Sequence, residues 1–200
     1  MKLTWLGHAC FAVEHDGYKI VMDPYINVAG HADIQTEAHA VLCSHHHYDH
    51  GAVDGVALLP ERDCPFTIRT VETCHDDQGG TLRGSNTIHI LTAGGVSVAH
   101  LGDLGHQLTQ EQLAAIGEVD GILIPVGGTY TVDAVGAKQV CDAIAPKWVV
   151  PMHYRHGEYG FPVLLEVEDF LALWPAFTRV EGTSLTVDEA AAGVNVLTFA

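Results

Sequence analysis

The chain has 200 residues, 48% of them hydrophobic and 17% charged, which is an ordinary globular composition. A chain this long can bury about 70% of its unfolded surface without disulfide staples. Its 25 acidic and 9 basic residues give a net charge of −16, which argues against a nucleic-acid surface and against docking on anionic membranes, since both need clustered Lys and Arg.

In chain order, the first quarter reads as strands. Residues 2–6, 10–15 and 18–22 are short β-type runs, with Asp16-Gly17 as a hairpin signal and Asp23-Pro24 as a stop. The stretch after Lys2 is apolar, but Gly7 and His8 interrupt it, and its alternation is that of a strand, not of a signal peptide. Residues 40–43 resemble a buried strand and end in Ser44-His45-His46-His47-Tyr48-Asp49-His50-Gly51. Residues 65–73 form another strand, ending at His75, before a polar, Gly-rich loop over 76–85. Residues 87–91 and 96–101 read as a strand pair around Ala93-Gly94-Gly95, closed by Gly102-Asp103.

The rhythm then changes. A helix is expected over 109–116, with Thr109 as N-cap and Gln112 three residues on. A strand over 121–126 ends in Gly127-Gly128. Helices are expected over 133–144 and 166–174, a strand over 148–151 runs into His153, and the tail from 177 to 199 holds short strands. Strands followed by alternating helix and strand predict two sheets with helices packed outside, a layered α/β sandwich. No linker or repeat divides the chain, so one domain over 1–200 is expected. No apolar run approaches the ~18 residues of a membrane span. Five cysteines without a CxxC pair fit reduced thiols and a cytoplasmic location.

Histidine is the outlier, with 14 residues, and imidazole is the commonest metal ligand. His45-x-His47-x-Asp49-His50 follows a buried strand. In extended or turning backbone, His45 and His47 share one direction, and Asp49 and His50 reach another. Six residues can thereby serve two adjacent metal ions. Four further donors lie at strand ends: Asp23, His75, Asp103 and His153. Together they supply the seven or so donors that a two-metal site needs, and an all-N/O set suits Zn, Mn or Fe over a thiolate site.

These residues resemble the metallo-β-lactamase superfamily, in its small single-domain branch, similar to L-ascorbate-6-phosphate lactonase and related metal-dependent hydrolases. The resemblance runs from Trp5-Leu6-Gly7-His8 through Asp23-Pro24 and the 45–50 motif to Leu101-Gly102-Asp103 and Pro151-Met152-His153-Tyr154. It implies a four-layer αββα sandwich. It implies that His45, His47 and His75 hold a first metal, that Asp49, His50 and His153 hold a second, and that Asp103 bridges both. Asp23 would orient a motif histidine from behind, while His46 would point away. Asp76 is a competing donor to His75.

Two cations, Zn foremost with Mn or Fe as alternatives, would generate a bridging hydroxide at neutral pH. The expected function is hydrolysis of a small ester, lactone or phosphoester. Asp49, with His8 and Tyr130, is placed among the catalytic groups, and Asp49 would also shuttle a proton to the leaving group. Arg83 and His106 are candidate substrate contacts. His15, His31, His39, His89, His100 and His156 are expected to have no catalytic role. The competing reading is a metal-binding sensor that keeps the scaffold without turnover. The expected partner is a small molecule, and apolar tail strands could support a homo-oligomer.

Overall fold

The computed structural model describes residues 1–198. Strands β1 (Lys2–Gly7), β2 (Cys10–His15) and β3 (Tyr18–Met22) form a meander. Asp16 and Gly17 both take positive φ, at 49° and 73°, which is the backbone a tight two-residue hairpin demands. Next come β4 (Thr36–Ala38), β5 (Ala40–Leu42), β6 (Val56–Leu58), β7 (Thr67–Cys74), β8 (Ser85–Ala93) and β9 (Val96–His100). The second half runs α1 (Gln110–Ile116), β10 (Gly121–Pro125), α2 (Ala134–Ile144), β11 (Trp148–Met152), α3 (Val167–Leu171), β12 (Phe177–Val180), β13 (Ser184–Thr186) and β14 (Gly193–Leu197).

Among the described residues these strands build a five-stranded sheet in the order β13-β1-β2-β3-β5, a seven-stranded sheet in the order β12-β14-β11-β10-β9-β8-β7, and a β4-β6 ribbon. The strand alternation read from the sequence is the packing pattern. Leu3, Trp5, Phe11, Val13, Ile20 and Met22 join the main core, while Cys10, Ala12 and Val21 face the other way into a smaller cluster with Tyr25, Val28, Ile34 and Val56. Central strands β10 and β11 are buried at every position and pair in parallel, as strands covered on both faces do. Helix α2 turns Ala134, Ala137, Val140 and Cys141 inward.

The α/β sandwich is the expected one, with local differences. Helix α1 begins at a Thr109–Gln112 capping box, as read. Helix α3 is shorter than 166–174: it stops at Leu171 because Leu173 and Trp174 donate to Phe170 and Leu171 in tighter turns, and Pro175 disfavours helical backbone before it. The β4-β6 ribbon was not foreseen, since three-residue strands joined by a distant parallel pairing leave little local pattern. It covers the outer face of the five-stranded sheet together with the 24–35 loop. Phe199, the last residue of the expected tail strands, lies outside the described residues.

The topology positions the site through one regularity. Strands β1, β3, β5, β7, β9 and β11 hand their carboxyl ends to His8, Asp23, the 44–50 loop, His75, Asp103 and His153 respectively. Loops at the carboxyl edges of strands are where α/β sheets hold ligands. A packing prediction follows from the centre of the seven-stranded sheet: a side chain at Gly121 would overlap the Trp148 ring on the neighbouring strand. Gly121→Ala is expected to lower stability by about 1–3 kcal/mol, read from the denaturant midpoint at unchanged slope.

Candidate metal centre

The 44–50 loop is shaped by its own turn, in which the His47 carbonyl accepts from the amides of His50, at 3.0 Å, and Gly51, at 2.7 Å. The turn divides the motif. The donor atoms of His45 and His47 gather with His75, while Asp49 and His50 gather with His153 and His8; within each group they lie within 4.8 Å of one another. The Asp103 carboxylate stands between the groups, its Oδ2 lying 3.2 Å from His50 Nε2, 3.2 Å from His75 Nε2 and 3.3 Å from His153 Nε2. All seven expected ligands thus come together in space. His46 is exposed and belongs to neither group.

Behind the donors lies a buried scaffold. Asp23 accepts from Ser44 N at 2.6 Å and Ser44 Oγ at 2.7 Å, and its Oδ2 lies 2.8 Å from His50 Nδ1. This bond turns His50 Nε2 toward Asp103. Ser44 Oγ is also 3.0 Å from His45 Nδ1, so a single carboxylate fixes two motif histidines, one directly and one through a hydroxyl. Asn86 accepts from Asp103 N at 2.8 Å and donates to Thr73 Oγ1 and to the Leu101 carbonyl, holding the turn that presents Asp103. Sequence reasoning missed Ser44 and Asn86. A serine beside the motif was a weak signal, and an asparagine inside a strand gave none.

The donor set fits divalent cations. Ten buried side-chain nitrogens and oxygens among the described residues have no hydrogen-bond partner, and eight of them belong to His8, His45, His50, His75, Asp103 and His153. Buried polar atoms are ordinarily satisfied. One nitrogen of each imidazole can bind an ion, and unsatisfied imidazoles and a carboxylate gathered on six neighbouring residues are the pattern expected of metal donors.

The electrostatics of the metal-free chain agree. Burial opposes ionisation of Asp103, yet His153 and His50 beside it hold its carboxyl well below the usual range. Burial and the neighbouring His153 push His8 down to about 3, and burial with His50 does the same for His45. His50 alone is pushed far up: burial disfavours its charge, but Asp103 and Asp23 flank it.

The remaining candidates fall into two groups. Arg83 and Tyr130 line a cavity of about 290 Å³ with His47, Tyr48, Asp49, His75 and Phe161. The Arg83 guanidinium stacks 5.7 Å above the Tyr130 ring and donates to the Thr129 carbonyl at 3.2 Å. His106 is elsewhere: its Nε2 accepts from Cys74 N at 3.1 Å, its Nδ1 lies 2.8 Å from the Gln107 carbonyl, and it does not line that cavity. Asp76 is not a donor beside His75, because its carboxylate accepts the backbone amides of Gln78, Gly80, Leu82 and Arg83. His89 and His100 bond the carbonyls of Cys43 and Ala9 and are structural. Tyr48 and Phe161 were not foreseen as cavity walls. A larger depression of about 460 Å³, which includes Val96, Asp120, Lys147 and Trp148, sits at the amino ends of the strands, away from the donors.

Comparison with known proteins places the chain among relatives. The model of the β-lactamase superfamily domain matches residues 2–153. A UPF0173 metal-dependent hydrolase of Carboxydothermus hydrogenoformans is 29% identical, over 78% of this chain and 85% of that protein. A UPF0173 protein of Pyrococcus abyssi is 33% identical, over 80% and 85%. A solved structure from Thermotoga maritima, assigned as a Zn-dependent hydrolase of the metallo-β-lactamase superfamily, superposes with a TM-score of 0.75 at 36% identity and covers 98% of this chain and 99% of that one. A metallo hydrolase of Ignicoccus hospitalis shares the fold at 22% identity and a TM-score of 0.60, over 86% of this chain and 88% of that one.

The Asp23 network gives a pH prediction. Burial raises the Asp23 carboxyl, but His50 and its hydrogen bond outweigh that and hold it at about 2, below its ordinary 3.8. A depressed carboxyl stabilises the fold above its unfolded value and loses that stabilisation as pH falls through the folded one. Metal-free protein is therefore expected to lose about 2 kcal/mol between roughly pH 4 and pH 2 through this group. Chemical denaturation at stepped pH should show a shallower loss over that window in Asp23→Asn.

Proposed function

The chain belongs to the metallo-β-lactamase superfamily of metal-dependent hydrolases, and from that membership we propose a single-domain enzyme that uses two metal ions to hydrolyse a small ester, lactone or phosphoester. The observation that carries this reading is the Asp103 carboxylate, which lies within 3.3 Å of donors from both groups and touches His75, one of the residues that wall a cavity with His47 and Asp49. His45, His47 and His75 would hold one ion, Asp49, His50 and His153 the other, and Asp103 both. Divalent cations there, Zn²⁺ foremost and Mn²⁺ or Fe²⁺ as alternatives, would polarise the scissile carbonyl or phosphoryl group and make hydroxide available at neutral pH.

The remaining steps fall to the chain itself. The cavity of about 290 Å³ lies at the low end of ligand-pocket sizes, which favours a small substrate. Arg83, at its wall, suits a carboxylate or phosphate. Tyr48, Tyr130 and Phe161 offer apolar ring faces to the rest of the substrate. Asp49 is 14% exposed at its side chain and borders the same cavity, where it can carry a proton to the leaving group. Five free cysteines are compatible with a reducing, cytoplasmic setting.

Elemental analysis of protein purified without chelator is expected to give about two equivalents of metal per chain. His47→Ala and Asp103→Ala should lower kcat/KM against lactones or generic phosphodiesters by at least ~100-fold, a loss that weaker perturbations of metal sites already reach. Arg83→Ala should mainly raise KM for anionic substrates. Two bound equivalents with no turnover on either substrate class would overturn the enzyme reading and favour a metal-binding sensor.

A further inference from the structure

We propose that His8 is a ligand of the second ion, which gives that half of the site three imidazoles, as the first half has. The inference rests on the two-ion reading above and extends it to a residue outside the 45–50 motif and its strand-end partners.

The local backbone is built to bring His8 inward. His8 and Ala9 form the two-residue connection between β1 and β2, where Gly7 pairs with Cys10. Gly7 sits at φ 117°, and a side chain there would run into the Tyr25 hydroxyl and the His31 ring. His8 follows at φ 52°, a left-handed conformation that costs a non-glycine residue of order 1 kcal/mol or more. Its carbonyl accepts the amide of His153 at 3.1 Å and the Trp5 indole at 2.9 Å. His153, itself a candidate ligand, also has a left-handed backbone, at φ 53°. Two strained residues are thus tied to each other, and both present imidazoles to the same point.

No hydrogen bond of ordinary length holds the side chain. His8 is 1% exposed, yet neither ring nitrogen has a hydrogen-bond partner. Other buried histidines outside the donor groups behave differently: His89 and His100 each bond a backbone carbonyl. The His8 ring packs against His153 with centroids 4.1 Å apart and meets Phe161 edge-on at 5.3 Å. Its Nε2 is 3.5 Å from Asp49 Oδ2. That separation is long for a hydrogen bond to a carboxylate, but it is close to the ~3.0–3.4 Å expected between neighbouring ligands on bonds of about 2.1 Å. A donor atom of His8 shares the 4.8 Å group with Asp49, His50 and His153. A buried imidazole that only packed would leave two polar atoms unsatisfied, whereas a ligating one satisfies at least one of them.

The chemical consequence is asymmetry between the ions. The first would have three imidazoles and the shared Asp103. The second would have three imidazoles, Asp49 and Asp103, five protein donors in all. Five or more N/O donors suit Mn²⁺ or Fe²⁺ better than the four-coordinate preference of Zn²⁺, so the second position should be the more selective for those ions.

The test is the number of ligating imidazoles, read on the intact protein loaded with Co²⁺. With ¹⁵N-labelled histidine, the loaded wild type should show six imidazoles with the large contact shifts of nitrogens bonded directly to Co²⁺, as distinct from the through-space shifts of rings that are merely near, from His8, His45, His47, His50, His75 and His153. Five would overturn the assignment of His8. In parallel, His8→Gln should keep the first Co²⁺ equivalent and bind the second at least ~100-fold more weakly. Retention of both at wild-type affinity would also overturn it. If His8→Gln does not fold, the wild-type count decides. A wild type that takes up fewer than two Co²⁺ equivalents would instead remove the two-ion reading and this proposal with it.

Discussion

The Asp103 carboxylate is the point on which the functional end depends. It is 1% exposed and lies against three imidazoles from three different loops. An isolated charge in such a place would cost many kcal/mol, and proteins avoid it by pairing or by coordination. The Asn86 side chain and the β9 terminus fix where the carboxylate stands, and the histidines assemble around it. Asp23 repeats the arrangement one layer back, with Ser44 and His50 as its partners. The site is thus two buried anions, each wrapped by donors. Buried negative charge of this kind would favour a bound cation.

Strain is also present at this end. His8, Asp23 and His153 all have positive φ, between 47° and 53°. Non-glycine residues in that region persist only where the surroundings over-determine them. Here backbone bonds do so: Asp23 N donates to the Leu42 carbonyl and His153 N to the His8 carbonyl. Each strained residue ends a strand and turns its side chain inward at once, with no intervening loop to blur its position. Rigid placement of this kind is what a preorganised site requires.

Much of this was legible in the residues, because much of it is local. The Asp16-Gly17 and Gly94-Gly95 turns, the Thr109 capping box and the alternation of β1–β3 depend on neighbours in sequence, and the 45–50 motif announces donors by its spacing alone. What escaped reading is set by contacts distant in sequence. Asn86 reaches Asp103 from an adjoining strand, Phe161 enters the cavity wall from a late loop, and β4 finds β6 across about twenty residues. The sequence offers His106 as a substrate contact. The chain carries it instead to the Cys74 amide, a destination no spacing rule encodes. Asp76, one residue from His75, has the chemistry of a ligand, but its backbone partners claim it first.

Those four amides bound to Asp76 have an evolutionary meaning. A loop folded around one internal anion owes its shape to a main chain that any sequence can supply. Only the identity of Asp76 and the glycines with left-handed backbone, Gly79, Gly80 and Gly84, are under conformational demand. The side chain of Leu82 hangs from this frame without holding it up, and that of Arg83 reaches away from it to the Thr129 carbonyl. A lineage could therefore exchange the cationic wall for an apolar or acidic one, and so change what the cavity admits, while His75 at the root of the loop kept its place. Selectivity and metal chemistry would drift independently, on a scaffold that separates them by a single carboxylate.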